Sequence, residues 1–229
     1  MKHQSILLLM FLALVITACT PALSLRDAAF LPNTSLVSGE PCQAPCWQDL
    51  TPGETVWGVA VATVEDSEDY RQTDSEDNRR TPEDWIEFAY RDGPTCCRIY
   101  SADGEALSAI LLLVAPQMTL GEMTTRYGEP TYMTAEAQTS DQAQIALVYP
   151  DLATVVYAFA PNITTAEVTA NSEIIGHVYM APSEMETLLA SENLYTWDGF
   201  GALSTVIDGE FDLTPLPVDD EANQEAEAP

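Results

Sequence analysis

After Lys2 the chain contains no lysine, and the rest of its positive charge is seven arginines set against 36 acidic residues. A formal charge of −28 excludes the clustered cations by which proteins hold nucleic acid or anionic lipid headgroups. Histidine is nearly missing too: beyond His3 there is only His177. Neither a Ser-His-Asp nor a Cys-His system can be assembled from so few parts, and no Gly-x-Ser-x-Gly turn occurs. Glycine motifs that cradle phosphates or dinucleotides are absent. A pair of carboxylates can hydrolyse a glycoside, but in so acidic a chain any such pair is unremarkable. These absences point to a binding protein, with no catalytic residue, metal ligand or cofactor expected, and leave a carboxylate-dependent hydrolase as the less favoured alternative.

Long hydrophobic runs are also scarce. The longest, Ile6 to Ile16, has eleven residues, which fits a signal-peptide core and falls short of the roughly 20 needed to cross a bilayer. Lys2 and His3 supply its positive start. The run closes on Ile16-Thr17-Ala18-Cys19, which resembles the lipobox of bacterial prolipoproteins. That resemblance implies cleavage after Ala18, a diacylglyceryl group on the Cys19 thiol and acylation of the new amino group. Two or three acyl chains make a stable anchor where one is marginal. Residues 1–18 are then a lipoprotein signal peptide, and the mature chain is membrane-tethered on the extracytoplasmic face of the cell envelope.

Cysteine is sparse and unevenly placed. Apart from Cys19 there are Cys42, Cys46, Cys96 and Cys97, an even number that in an exported chain reads as two disulfides. Because a bridge between neighbours closes a strained ring, the favoured pairing sends Cys96 and Cys97 back to Cys42 and Cys46. The spacing is not a usual zinc pattern. Glycine is missing from the acidic stretch between Glu65 and Arg80, where a calcium loop would need one for its sharp turn, so this reads as a solvated polar insertion. Residues 19–40, with Pro21, Pro32, Asn33 and Gly39, read as a lipidated tether. Trp47, beside Cys46, is expected to pack.

What is present beyond this is a recurring order of elements. Thr51-Pro52-Gly53-Glu54, Thr119-Leu120-Gly121-Glu122 and Ser183-Glu184-Met185-Glu186 each read as a capped helix start. Strands are expected at 85–91, 96–101 and 106–114, then again at 145–149, 154–160 and 174–180. Ala115-Pro116 and Ala181-Pro182 are expected to stop the last strand of each set. The helix starts lie 68 and 64 residues apart and the Ala-Pro pairs 66 apart, which is the mark of internal duplication. The expected fold is α+β: tandem repeats of a capped helix and an antiparallel three-stranded meander, with a C-terminal helix. The ectodomain, 41–211, divides into two related units at about 41–117 and 118–211, and 212–229 reads as a disordered acidic tail.

With the turn Tyr127-Gly128-Glu129-Pro130 closing the middle helix, this order resembles the beta-lactamase-inhibitor-protein superfamily and the small outer-membrane assembly lipoproteins that share its fold. The resemblance implies a binding scaffold. His177 is expected as a half-exposed strand residue on the face of Ile175 and Tyr179, and Tyr195, Trp197 and Phe200 as packing that covers a sheet edge. The function expected is a lipid-anchored scaffold with a protein partner in the envelope and no nucleic acid. A calcium or cell-wall sugar sensor is the alternative.

Overall fold

The expected strands form where apolar residues alternate or run together, and in the computed structural model they join into one antiparallel sheet of nine strands. The structure describes residues 25–73, 84–137, 142–161, 167–190 and 194–202. In chain order these give α1 (Ser35–Ser38), α2 (Trp57–Glu65), β1 (Tyr70–Gln72), β2 (Asp84–Tyr90), β3 (Thr95–Ser101) and β4 (Ala109–Thr119). There follow α3 (Leu120–Tyr127), β5 (Tyr132–Ala137), β6 (Ala143–Tyr149), a 3₁₀ turn (Pro150–Leu152), β7 (Thr154–Ala160) and β8 (Glu167–Val168). The last are β9 (Glu173–Met180), α4 (Pro182–Leu189), β10 (Tyr195–Thr196) and β11 (Gly201–Ala202).

The sheet order is β1-β2-β3-β4-β9-β7-β6-β5-β10, and β8 pairs separately with β11. All six expected strands are present. Three more strands of the sheet lie outside them: β1, within the stretch read as a polar insertion, β5, which follows α3, and β10 at the far edge. Each expected three-stranded meander therefore has a fourth strand, and β4 and β9, the last strand of each set, lie side by side in the middle of the sheet. The segments 41–117 and 118–211 thus share one sheet. The α+β class stands, and α4 is followed by two further short strands.

Alternation sets the core. On one face the register aligns Phe88, Cys97, Leu112, His177, Val156, Leu147 and Met133 across seven strands, and all are buried. Trp57, Ala60 and Val64 of α2 and Leu120 and Met123 of α3 belong to the same apolar cluster. The N-terminal segment adds to it. Phe30, Leu31 and Leu36 are buried, Leu31 bridges Val114 of β4, and Arg126 donates to the carbonyls of Val37 and Ser38. The tether expected over 19–40 is therefore shorter, because its apolar residues find a place in the core. Trp47 packs as expected, stacked on Phe88 at 5.7 Å between ring centroids.

Local chemistry explains where boundaries moved. The capping box at Thr119 forms, with the Glu122 N–H donating to Thr119 Oγ1 and Glu122 Oε2 accepting from the Thr119 N–H. The one expected at Thr51 does not. Gly53 sits at φ 85°, outside the right-handed helical region, so 51–55 makes a turn and α2 starts at Trp57 behind Val56. At the third start, Pro182 takes the first helical position and Ala181 the cap. Proline is pre-organised for that position and needs no N–H there, which leaves Ser183 inside the first turn. Pro116 does not end β4; it falls in the register shift between Leu113 and Met118, where a missing N–H costs the ladder nothing. Gly128 closes α3 with its N–H on the Thr124 carbonyl, as the Gly-Glu-Pro turn implied.

Equilibrium urea unfolding should separate these starts. Thr119→Ala is expected to cost about 1 kcal/mol and Ser183→Ala less than about 0.5 kcal/mol, while Leu112→Ala, which empties the centre of the core, should cost about 2–5 kcal/mol. A Ser183→Ala loss as large as that of Thr119→Ala would contradict the observed cap positions.

Candidate functional site

The other face of the sheet is where outward-pointing residues depart from what mere solubility requires. Its register aligns Glu87, Arg98, Leu111, Val178, Val155, Val148 and Tyr132 in one row, with Trp85, Tyr100, Ala109 and Met180 in the next. The two halves of this face are finished differently. Over β7, β6 and β5, Met185, Leu188 and Leu189 of α4 pack with Leu194 on Ala146, Val148 and Val155. Over β2, β3 and β4, no described helix or strand lies on the face. Trp85, Glu87, Arg98, Tyr100, Leu111 and Leu113 there are partly accessible.

The side chains of the open half hold one another in place. The Arg98 guanidinium lies over the Trp85 ring, 4.0 Å from its centroid, and pairs with Glu87, its Nε donating to Oε1 over 3.1 Å. A planar cation fixed on one side by an indole and on the other by a carboxylate loses little further freedom when it is covered. Trp, Tyr and Arg are the residues on which interfaces concentrate their energy. The sequence carried a signal for this patch. Trp85 and Glu87, Arg98 and Tyr100, and Leu111 and Leu113 occupy the outward positions of their strands, where small polar residues would suffice for a solvated face.

Two recesses border the face. One, of about 230 Å³, opens beside α4 between Thr134, Gln144, Tyr157, Met180, Leu188 and Leu194; burial, then the charge of Glu136, pushes the Tyr157 phenol upward. The other, of about 210 Å³, lies between α2 and the start of β2, lined by Trp57, Val61, Asp84, Trp85 and Ile86. A wider polar groove runs between α1 and α3.

The residues singled out from the sequence fall elsewhere. Cys19 and the tail 212–229 lie outside the described residues, as does most of the second half of the polar insertion. The cysteines pair locally, Cys42 with Cys46 and Cys96 with Cys97, and not between the two pairs as expected. The register between β2 and β3 gives the reason: Phe88 faces Cys97 and Ala89 faces Thr95, so Cys96 is the extra residue of a bulge that brings both sulfurs together in the core. Neither bridge closes a long loop, so neither carries the chain-entropy gain that the longer-range pairing would have brought. The Asp49 carboxylate lies within 4.8 Å of the Cys42 and Cys46 sulfurs, but the disulfide uses both. The segment of Tyr195, Trp197 and Phe200 covers the sheet edge as expected, with β10 paired to β5, the Trp197 N–H donating to the Thr131 carbonyl over 3.0 Å and its indole N–H to Glu129, but only Trp197 is buried; the Tyr195 and Phe200 side chains are exposed.

His177 is not half-exposed. It is fully buried in the central strand β9, between Leu112 and Val156, with its ring 4.8 Å from that of Tyr179. Neither ring nitrogen has a hydrogen-bond partner among the described residues. Burial lowers its pKa to about 3. The Tyr149 and Tyr179 hydroxyls on the same face also lack hydrogen-bond partners among the described residues, and burial raises the pKa of both. His177 lines none of the recesses described above.

Comparison with protein-family models, with curated proteins and with solved structures returns no match. Among the described residues no helix is long and apolar enough to cross a membrane.

His177 gives the fold a pH signature. Its folded pKa lies below the unfolded value of about 6.5, so below pH 6.5 the unfolded chain binds a proton that the folded one refuses. Stability should fall with acidification from pH 6.5 towards 3, by up to about 1.4 kcal/mol per pH unit, with no contribution above pH 6.5. His177→Leu, whose carboxylates are unchanged, should lose stability less steeply between pH 6 and 4 in urea titrations. Identical slopes would contradict a buried neutral imidazole.

Proposed function

We propose that this chain is a lipid-anchored, extracytoplasmic scaffold that binds a protein partner on the open half of its sheet. The observation that carries the reading is the asymmetry of that face: α4 covers one half, while the other presents Trp85, Arg98, Tyr100 and Leu111 on rigid strands. A site on strands is held more firmly than one on loops, which suits recognition. The acidic composition supports an envelope protein that stays soluble without adhering to anionic surfaces.

The finer architecture belongs to the same proposal. A helix followed by four antiparallel strands occurs twice, as α2 with β1 to β4 and as α3 with β5, β6, β7 and β9, and apart from β10 at one edge the sheet order is symmetric about the β4–β9 pair. We read this as an internal duplication of the kind found in the beta-lactamase-inhibitor-like fold. The anchor supports a location close to the membrane. Arg26 stands seven positions after Cys19, and its guanidinium is paired with Glu173 at 2.6 Å. At no more than about 3.6 Å per residue, Arg26 stays within about 25 Å of the lipidated cysteine.

Anchor and interface can be tested apart. Cys19→Ser should abolish palmitate incorporation and move the chain to the soluble fraction, and unchanged membrane retention would remove the anchor. A photo-crosslinking residue at Leu111 should join one envelope protein in intact cells, and the same residue at Thr187, on the outer face of α4, should not. Trp85→Ala or Arg98→Ala should weaken that complex by about 2 kcal/mol, roughly thirtyfold in Kd. Equal capture from both positions would overturn the interface.

A further inference from the structure

We propose that the recess between α2 and the start of β2 is a receptor for a cationic side chain, a lysine or arginine presented by the protein partner. This rests on the scaffold reading for its partner, but the recess can be probed without one.

Two tryptophans and an aspartate line it. Trp57 comes from the first turn of α2, and Asp84 and Trp85 come from the first two residues of β2. Val61 and Ile86 complete an apolar wall. The volume, about 210 Å³, suits one long side chain and excludes a whole domain. Trp57 is held by its backbone: its N–H donates to the Glu105 carbonyl over 2.8 Å, and Val56 bridges Ala106. Leu107 donates to the Thr55 carbonyl over 2.9 Å, so the entry to α2 is tied to the β3–β4 turn at three successive points.

That turn makes the rim negative. Asp103 and Glu105 lie on it and are exposed. The Asp84 carboxylate approaches Gly104, where a Cβ would stand 3.1 Å from its Oδ2. The Asp103 carboxylate accepts from the N–H groups of Glu105 and Ala106, which keeps it ionised. Among the described residues, no arginine is paired with Asp84, Asp103 or Glu105. The molecule itself shows what the neighbouring surface accepts, since the same Trp85 that lines the recess already carries the Arg98 guanidinium 4.0 Å from its ring centroid. An indole holds a cation by its ring quadrupole, and more strongly where water is excluded. A neutral apolar side chain would fill the volume but would offer nothing to the Asp84 carboxylate. The long stem and charged head of lysine or arginine match both.

The test uses the full chain in neutral detergent, with Nα-acetyl-lysine methylamide as the probe and its uncharged counterpart, Nα-acetyl-norleucine methylamide, as the control. The four tryptophan indole N–H signals report binding. The lysine probe should shift those of Trp57 and Trp85 in a saturable way and leave Trp47 and Trp197 in place. Asp84→Asn should weaken binding about tenfold, and Asp151→Asn, which removes the same charge from an exposed turn, should not. Trp85→Leu, checked for native folding by the unmoved Trp47 signal, should abolish saturation. Equal binding of the norleucine probe, equal loss in the two aspartate variants, or no shift of Trp57 and Trp85 would each overturn the proposal. Because no partner or membrane is involved, a positive result would stand even if capture at Leu111 failed.

Discussion

The pairing of β4 with β9 is the constraint on which the rest of the structure depends. Each is the last strand of its set, and their antiparallel ladder, Ala109 with Met180 through Leu113 with Gly176, turns two four-stranded groups into one sheet. Gly176 sits at a close approach there: a Cβ would come within 2.9 Å of the Leu112 carbonyl oxygen. The ladder also fixes His177 and Tyr179 at the centre of the molecule. Their polar atoms are enclosed by strands on both sides and by the segments packed on the core face. Burying such groups without partners costs free energy, which the surrounding apolar packing must offset.

From that central seam follows an asymmetry. The chain leaves β4 through α3, whose Leu120 and Met123 join the main core; it leaves β9 through α4, whose Met185 joins the second cluster on the opposite face. One helix thickens the core, and the other covers half of the outer face. What no described helix covers is a strand-built surface of Trp, Tyr, Arg and Leu beside an acidic turn. On that surface aromatic area and a fixed charge coincide, with Arg98 held over Trp85, and this coincidence supports the scaffold reading.

Much of the fold was legible in the sequence, and for local reasons. The six main strands announced themselves by alternation, and the Thr119 cap by a box of residues three apart. The elements that were missed depend on distant parts of the chain. β1 is three residues of Tyr, Arg and Gln, a strand only because Tyr90, Ala89 and Phe88 lie beside it. Leu31 and Leu36 looked like linker residues because the core that receives them lies eighty or more positions away. The cysteine pairing turned on a bulge, which spacing does not reveal. The open face was half visible: the parity of Trp85, Arg98 and Leu111 followed from the strands, but which half α4 would cover did not.

Hydroxyl-radical footprinting of the full-length chain, in intact cells and purified in detergent, tests the open face most directly. If that face is a docking surface, oxidation of Trp85, Tyr100 and Leu111 should be several-fold lower in cells than in the purified chain. Val59 and Phe200, exposed elsewhere, should be modified equally in both. Equal oxidation of Trp85, Tyr100 and Leu111 in the two samples would contradict the account.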